Sequence, residues 1–274
     1  MNIQKKYLYT NGYTIWRLIP SGDRLLIEER DEKKKQVYFN CVEIESGKSI
    51  LKNFQLDEKF WVGIEAFENN RIYFHKFAKP DMPGHMGITA YDLGAKKILW
   101  TREDLVFLFL YKDKVFTYLQ KFESREIFSL DAESGNIIKE YGENALEINS
   151  IREELISKEY EKYKDYLFPE NYVAGKQSSE VKSIVDNLKQ KVIITGEIEF
   201  INYKKSLLLG FHTVRDDGKL NNNFRTIEID SGKVIFEDVV NSGITSYIPD
   251  SFFIKNNLLF LIKHKTELVV FSLI

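Results

Sequence analysis

Residues 224–236 read FRTIEIDSGKVIF, 127–138 read IFSLDAESGNII, 88–100 read ITAYDLGAKKILW and 39–50 read FNCVEIESGKSI. Each is an apolar stretch, a tight turn that carries glycine beside small or charged residues, and a second apolar stretch. Glycine supplies the positive φ that a tight reversal needs, while Asp and Ser bond locally to the turn backbone, so each segment predicts a β-hairpin. The turn glycines Gly47, Gly94, Gly135 and Gly232 lie 47, 41 and 97 residues apart, the last gap being about two periods. Periods of roughly 40–50 residues belong to four-stranded units repeated around an axis.

A second series falls between those turns: residues 14–29, 61–77, 106–119, 198–212 and 248–264, each two apolar runs around a polar turn (SGD, ENN, KD, KK and KNN). Five such hairpins predict an all-β, five-bladed β-propeller in a single domain. They supply strands a and b of each blade, and the glycine turns join c to d. The blades read as 11–52, 57–102, 104–142, 192–240 and 244–274. The last has only three strands of its own, which leaves an open edge. Residues 6–10 (KYLYT) are strand-like and are expected to complete it beside the C-terminal strand.

Residues 143–191 do not alternate and read as a helical insertion between blades three and four. Ser150 and Glu153 have capping-box spacing, and Ile151, Leu155, Tyr163 and Leu167 lie near one helical face up to Pro169. A second helix follows, with Val181, Ile184, Val185 and Leu188 apolar and Ser178 or Ser179 as its cap.

Of the 274 residues, 43% are hydrophobic and 29% charged, which suffices for a large core and a solvated exterior. Lys and Arg total 39 against 41 Asp and Glu, a formal net charge of -2 that offers no field to a phosphate backbone, so no nucleic-acid partner is expected. The one cysteine, Cys41, cannot form an internal disulfide, and the N-terminus has no apolar run of signal-peptide length. A cytoplasmic protein without a membrane span is the expectation.

The stretch AYDLGAKKILW at 90–100 resembles the outer-strand repeat of quinoprotein-like propellers, in which an Ala, an Asp, a turn Gly, a Lys and a terminal Trp recur; 131–135 and 230–233 echo parts of it. Those families include quinone-dependent dehydrogenases and non-enzymatic scaffolds of outer-membrane assembly. The resemblance covers turn chemistry and blade packing and implies no cofactor site. IWRLI at 15–19, LLIEERD at 25–31 and FWVGIEAF at 60–67 are similar to an uncharacterised bacterial family catalogued as a domain of unknown function, which implies no activity.

In a propeller the d-to-a and b-to-c connections share one face, where loops on a rigid scaffold carry function. The b-to-c segments contain Glu29, Arg30, His75, Asp81, His85, Lys121, His212, Arg215, Asp216, Asp217 and His264, hence all four histidines. Imidazole serves as a metal ligand or proton carrier, but no two histidines have HxH or HExxH spacing, and a histidine ending a strand equally suits a bond to loop backbone. No metal or other cofactor is expected. Acids open strand a in blades two to four, at Asp57 and Glu58, Glu103 and Asp104, and Glu197 and Glu199. Paired carboxyls at such rims are glycosidase machinery, yet also ordinary solvated turns. Residues 79–87 (KPDMPGHMG) read as a stiffened exposed loop, Trp16 and Trp61 as packing between blades, and Tyr160, Tyr163 and Tyr166 as a surface for docking. No phosphate loop, dinucleotide fingerprint or nucleophile elbow is present. The expectation is a non-enzymatic binding or scaffold protein for a protein or small ligand; the alternative is a glycosidase-like or metal-dependent hydrolase.

Overall fold

The computed structural model describes residues 1–79 and 82–274. Asp81 therefore lies outside the described residues, as does the side chain of Tyr160. The chain divides into two compact units, Tyr13–Lys162 and Met1–Gly12 with Tyr163–Ile274. Among the described residues the strands form five sheets, and every strand pair in them is antiparallel.

The chain starts with β1 (Ile3–Thr10). In the first unit, β2 (Thr14–Ser21), β3 (Arg24–Asp31), β4 (Gln36–Glu43) and β5 (Ser49–Phe54) pair in chain order. So do β6 (Val62–Glu68), β7 (Arg71–Lys79), β8 (Met82–Asp92) and β9 (Lys97–Arg102), and likewise β10 (Val106–Tyr111), β11 (Lys114–Gln120), β12 (Arg125–Asp131) and β13 (Ile137–Gly142). Val, Ile, Phe and Tyr at alternate positions give these strands apolar faces, which bury against the next sheet. Phe39, Leu26, Ile64 and Phe74 form one core between the first two sheets; Tyr73, Ala90, Trp100 and Leu130 form another between the second and third.

In each of these three sheets the first strand carries one residue more than its partner strand at the same step: Trp16, Glu65 and Leu108. A β-bulge of this kind turns the extra side chain off its regular face. That corrects the expectation of a core Trp16: the residue is 55% exposed, with the Arg30 guanidinium 4.9 Å above its ring. The turns also depart from expectation in one place. Gly47, Gly135 and Gly232 adopt positive φ, whereas in the second sheet Lys96 does so at 52° and Gly94 does not. Gly94 stands two residues before the step that reverses the chain, so the glycine there is not the residue the turn requires.

The helix α1 (Ala145–Lys162) starts five residues before Ser150, whose hydroxyl donates to the Leu146 carbonyl at 3.3 Å instead of capping. Its Ile148, Ile151 and Leu155 pack on Phe109 and Phe116.

In the second unit, β14 (Tyr166–Leu167) stands where a continued helix was expected, and β15 (Glu170–Asn171) follows directly after Pro169. Each satisfies the free edge of a longer strand, so the apolar residues Tyr163 and Leu167 belong to no helical face. The helix α2 (Ser179–Lys191) is capped by Ser178, whose hydroxyl accepts from Val181 N–H, and buries the four predicted apolar residues. Strands β16 (Ile194–Tyr203), β17 (Ser206–Val214), β18 (Leu220–Glu228) and β19 (Val234–Ile244) follow, with β15 beside β16. The last sheet runs β14, β20 (Phe252–Lys255), β21 (Leu258–Lys263), β22 (Glu267–Leu273), β1. Residues 6–10 thus pair with the C-terminal strand, in a strand that begins earlier, at Ile3.

Candidate functional site

The second unit holds a cavity of about 400 Å³ lined by Pro169, Asn171, Gly196, Glu197, Glu199, His212, Tyr247, Pro249 and Asp250. Its floor is made by β16 and β17, whose register breaks between Thr195 and Ile198, so Gly196 and Glu197 are extra residues there. Three of the residues singled out in the sequence, Glu197, Glu199 and His212, meet in this cavity. His212 is not a loop residue: it lies within β17 and is buried. Its Nε2 accepts the Ile248 N–H at 3.2 Å, which leaves the ring proton on Nδ1, and burial lowers its pKa. The Tyr247 ring meets it edge-on at 5.2 Å, and the Tyr247 hydroxyl bonds the Thr195 hydroxyl at 2.8 Å.

Glu199 has its pKa raised, chiefly by burial and further by the charges of Asp250 and Glu197, although Oε1 accepts the Asp250 N–H at 2.9 Å. Three carboxyls, a neutral imidazole and a phenol ring therefore face one small volume. Its acidity and its aromatic wall suit a small cationic or hydroxyl-bearing group.

The first unit brings His75 and His85 together. Their rings stack at 3.5 Å and 9°, and the Nδ1 atoms lie 3.1 and 2.8 Å from the same oxygen, Glu65 Oε1. Both histidines sit in strands β7 and β8, not in a loop, and the expected loop at 79–87 is strand from Met82 onward. Phe77 stands edge-on to both rings, at 5.1 and 5.4 Å. Gly63, opposite His75, has no side chain to obstruct the buried ring: a Cβ there would lie 2.8 Å from His75 Cε1. Burial works against a charge on Glu65, but hydrogen bonds and charge from His75 and His85 bring its pKa below the ordinary value. Glu65 was invisible to spacing arguments, since only the bulge directs it at the histidines.

The remaining nominated residues hold local structure and do not converge with these. Glu29 and Arg30 are strand residues of β3: Glu29 accepts from Asn40 at 2.7 Å in the interior, and Arg30 makes a two-pronged contact with Glu28 at 3.0 and 2.7 Å. Glu58 accepts the N–H groups of Phe60 and Trp61, which lower its pKa, and thereby closes a turn. Asp104 is paired with Arg102 at 2.7 Å, which lowers its pKa. Arg215 bonds Ser242 and Asp217 at the surface, and His264 is an exposed turn residue with φ 53°. Tyr163 and Tyr166 pack with Phe168, and Tyr166 also with Phe253, so they form an aromatic cluster of their own unit.

Among the described residues no helix is long and apolar enough to cross a membrane. The chain is similar to β-propeller structures. One is the quinohemoprotein alcohol dehydrogenase ADHIIG from Pseudomonas putida HK5, at 9% identity and TM-score 0.32, covering 96% of this chain and 42% of that one, so it spans less than half of the dehydrogenase. Another is the β-propeller domain of the Trilobed protease from Pyrococcus furiosus, at 10% identity and TM-score 0.32, over 92% of this chain and 64% of that one. The uncharacterized protein lmo1340 from Listeria monocytogenes EGD-e is similar at 13% identity and TM-score 0.34, over 91% and 75%. No activity passes from any of these. No curated protein matches the chain in sequence. Residues 20–100 match the family described as a domain of unknown function, DUF4905.

Proposed function

We propose that the chain is a cytoplasmic, five-bladed propeller that acts as a non-enzymatic binding protein, taking a small amine-bearing ligand in the cavity of the second unit. Five antiparallel sheets, three of them made of four strands consecutive in the chain, support the blade count, with β1 as the strand supplied to the last. The single buried Cys41, whose thiol burial pushes up to about 12, suits a reducing compartment. The observation that carries the ligand reading is the convergence of Glu197, Glu199, Asp250 and Tyr247 on one volume of ligand size. Carboxylates neutralise an ammonium group, and the tyrosine face adds cation–π attraction.

Calorimetry with spermidine and choline as probes, and with a neutral sugar as the counter-probe, tests the reading. Saturable binding of an amine that weakens in Glu197→Gln and Tyr247→Ala supports it. Absence of amine binding sinks it.

A hydrolase reading has one observation in its favour. Glu199 is biased toward its protonated form while sharing the cavity with other carboxyls, and pushing neighbouring carboxyls apart in pKa is how a glycosidase makes an acid and a base. Turnover of nitrophenyl glycosides that disappears in Glu199→Gln would favour it over simple binding.

A further inference from the structure

We propose that Glu65, His75 and His85 form a binding site for a divalent transition-metal cation of the zinc type. The site lies in the first unit and is independent of the cavity proposed above. One ligand atom from each of the three residues falls within a sphere where all lie within 4.8 Å of one another. In a tetrahedral zinc site with metal–ligand bonds of about 2.0–2.2 Å, neighbouring ligand atoms stand about 3.3 Å apart. The separations of 3.1 and 2.8 Å from Glu65 Oε1 to the two Nδ1 atoms are close to that. An imidazole donates in its ring plane, so the rings, stacked at 3.5 Å and 9°, must tilt apart before both Nδ1 atoms meet one cation, and the part-exposed His85 is the ring with room to do so. Two imidazoles and one carboxylate are a donor set that borderline cations such as Zn²⁺ and Co²⁺ prefer, and that Mg²⁺ and Ca²⁺ do not.

Three further observations support a ligand here. His75 is 2% exposed; its Nδ1 meets only Glu65 Oε1, at 3.1 Å, and its Nε2 has no hydrogen-bond partner. A buried imidazole left so is costly unless something else satisfies it. His85, in contrast, has a side chain 36% exposed, so the cluster is open to solvent on that side. Finally, the fold does not demand these residues. The bulge position of Glu65 is Trp16 in the first sheet and Leu108 in the third, and the step of His75 is Arg30 and Tyr118. The same scaffold slot thus holds a cation–π pair in the first sheet and a carboxylate–imidazole pair in the second. Only the second adds another histidine.

The test uses the full chain, stripped with a chelator and titrated at neutral pH with ZnCl₂ by calorimetry and with CoCl₂ by visible absorption. One equivalent per chain and the absorption bands of low-coordinate cobalt are expected. Zinc should shift the ring resonances of His75 and His85 and leave those of His212 and His264 in place. His85→Ala removes a part-exposed ring, and Glu65→Leu installs the residue type that the third sheet carries, so both are compatible with the fold. Each should weaken binding more than about 10-fold, since even outer-shell losses reach that; His264→Ala should not. The proposal is overturned if the wild-type chain takes up no stoichiometric metal, or if zinc perturbs His212 or His264 in place of the stacked pair. It is equally overturned if the two ligand variants bind as the wild type does.

Discussion

Gly63→Ala should destabilise the protein through a single contact. A Cβ on residue 63 would lie 2.8 Å from His75 Cε1 and 2.9 Å from Nε2. Favourable contact between such atoms begins at about 3.5 Å, so the overlap is about 0.6–0.7 Å. The imidazole has no room to retreat, because His85 is stacked at 3.5 Å and Phe77 stands edge-on at 5.1 Å. Gly63 has no positive φ, so alanine meets no backbone strain and the whole effect is overpacking. Overpacking of a closed site costs about 1–3 kcal/mol. For a chain of this size that lowers Tm by about 2–10 °C. Circular dichroism melts of the metal-free protein measure it, and His75→Ala combined with Gly63→Ala supplies the control. Because the overlap needs both side chains, the double variant should lose less than the sum of the single losses. Unchanged stability in Gly63→Ala, or strictly additive losses, would refute the placement of His75 against β6.

Two turn glycines should respond differently to alanine. Gly135 has φ 72° and would place a Cβ 2.6 Å from Trp100 Cδ2, while Gly232 has φ 67° and open space. Backbone strain of about 1–2 kcal/mol applies to both, and overpacking adds about 1–3 kcal/mol at Gly135 only; urea midpoints of the two variants test the difference, and equal losses would contradict the packing of Trp100. His212 should make stability pH-dependent. Its folded pKa lies below the ordinary value of about 6.5 because the ring is buried. As pH falls through about 6.5 the unfolded chain takes up the proton first, so stability is lost toward acid, down to the folded pKa. His212→Gln should flatten that part of the profile of urea midpoints, and ring NMR of the wild type should show the lowered value directly.

The hairpins were legible in the sequence because their information is local. Alternating apolar residues set strands with period two, and Asp, Ser and Gly set the reversals, so residues 127–138 or 224–236 announce their own structure. The N-terminal strand was legible for a related reason, since an unpaired edge in the last sheet requires a partner. The short helix α2 was also readable, with its Ser178 cap and four apolar residues on one face. Helix α1 was readable as a helix with Ile151 and Leu155 on its buried face, but its bounds were not, because a Ser–Glu spacing has the same form inside a helix as at its start, and Ser150 bonds Leu146 from within.

The functional clusters depended on what local patterns do not carry. Whether Glu65 faces the core, solvent or His75 turns on one extra residue in β6, and no periodicity marks where a strand bulges. The corresponding extra residue in β2 put Trp16 outside, against the ordinary preference of its ring. His75 and His85 are ten residues apart and meet only because β7 and β8 pair with a register that stacks their rings. Glu199, His212, Tyr247 and Asp250 converge on a cavity from strands and a connecting segment whose pairing is non-local. Residue types and strand positions were determined by the sequence read alone; the distances among side chains, and hence the chemistry available to them, were decided by bulges and register in the folded sheets.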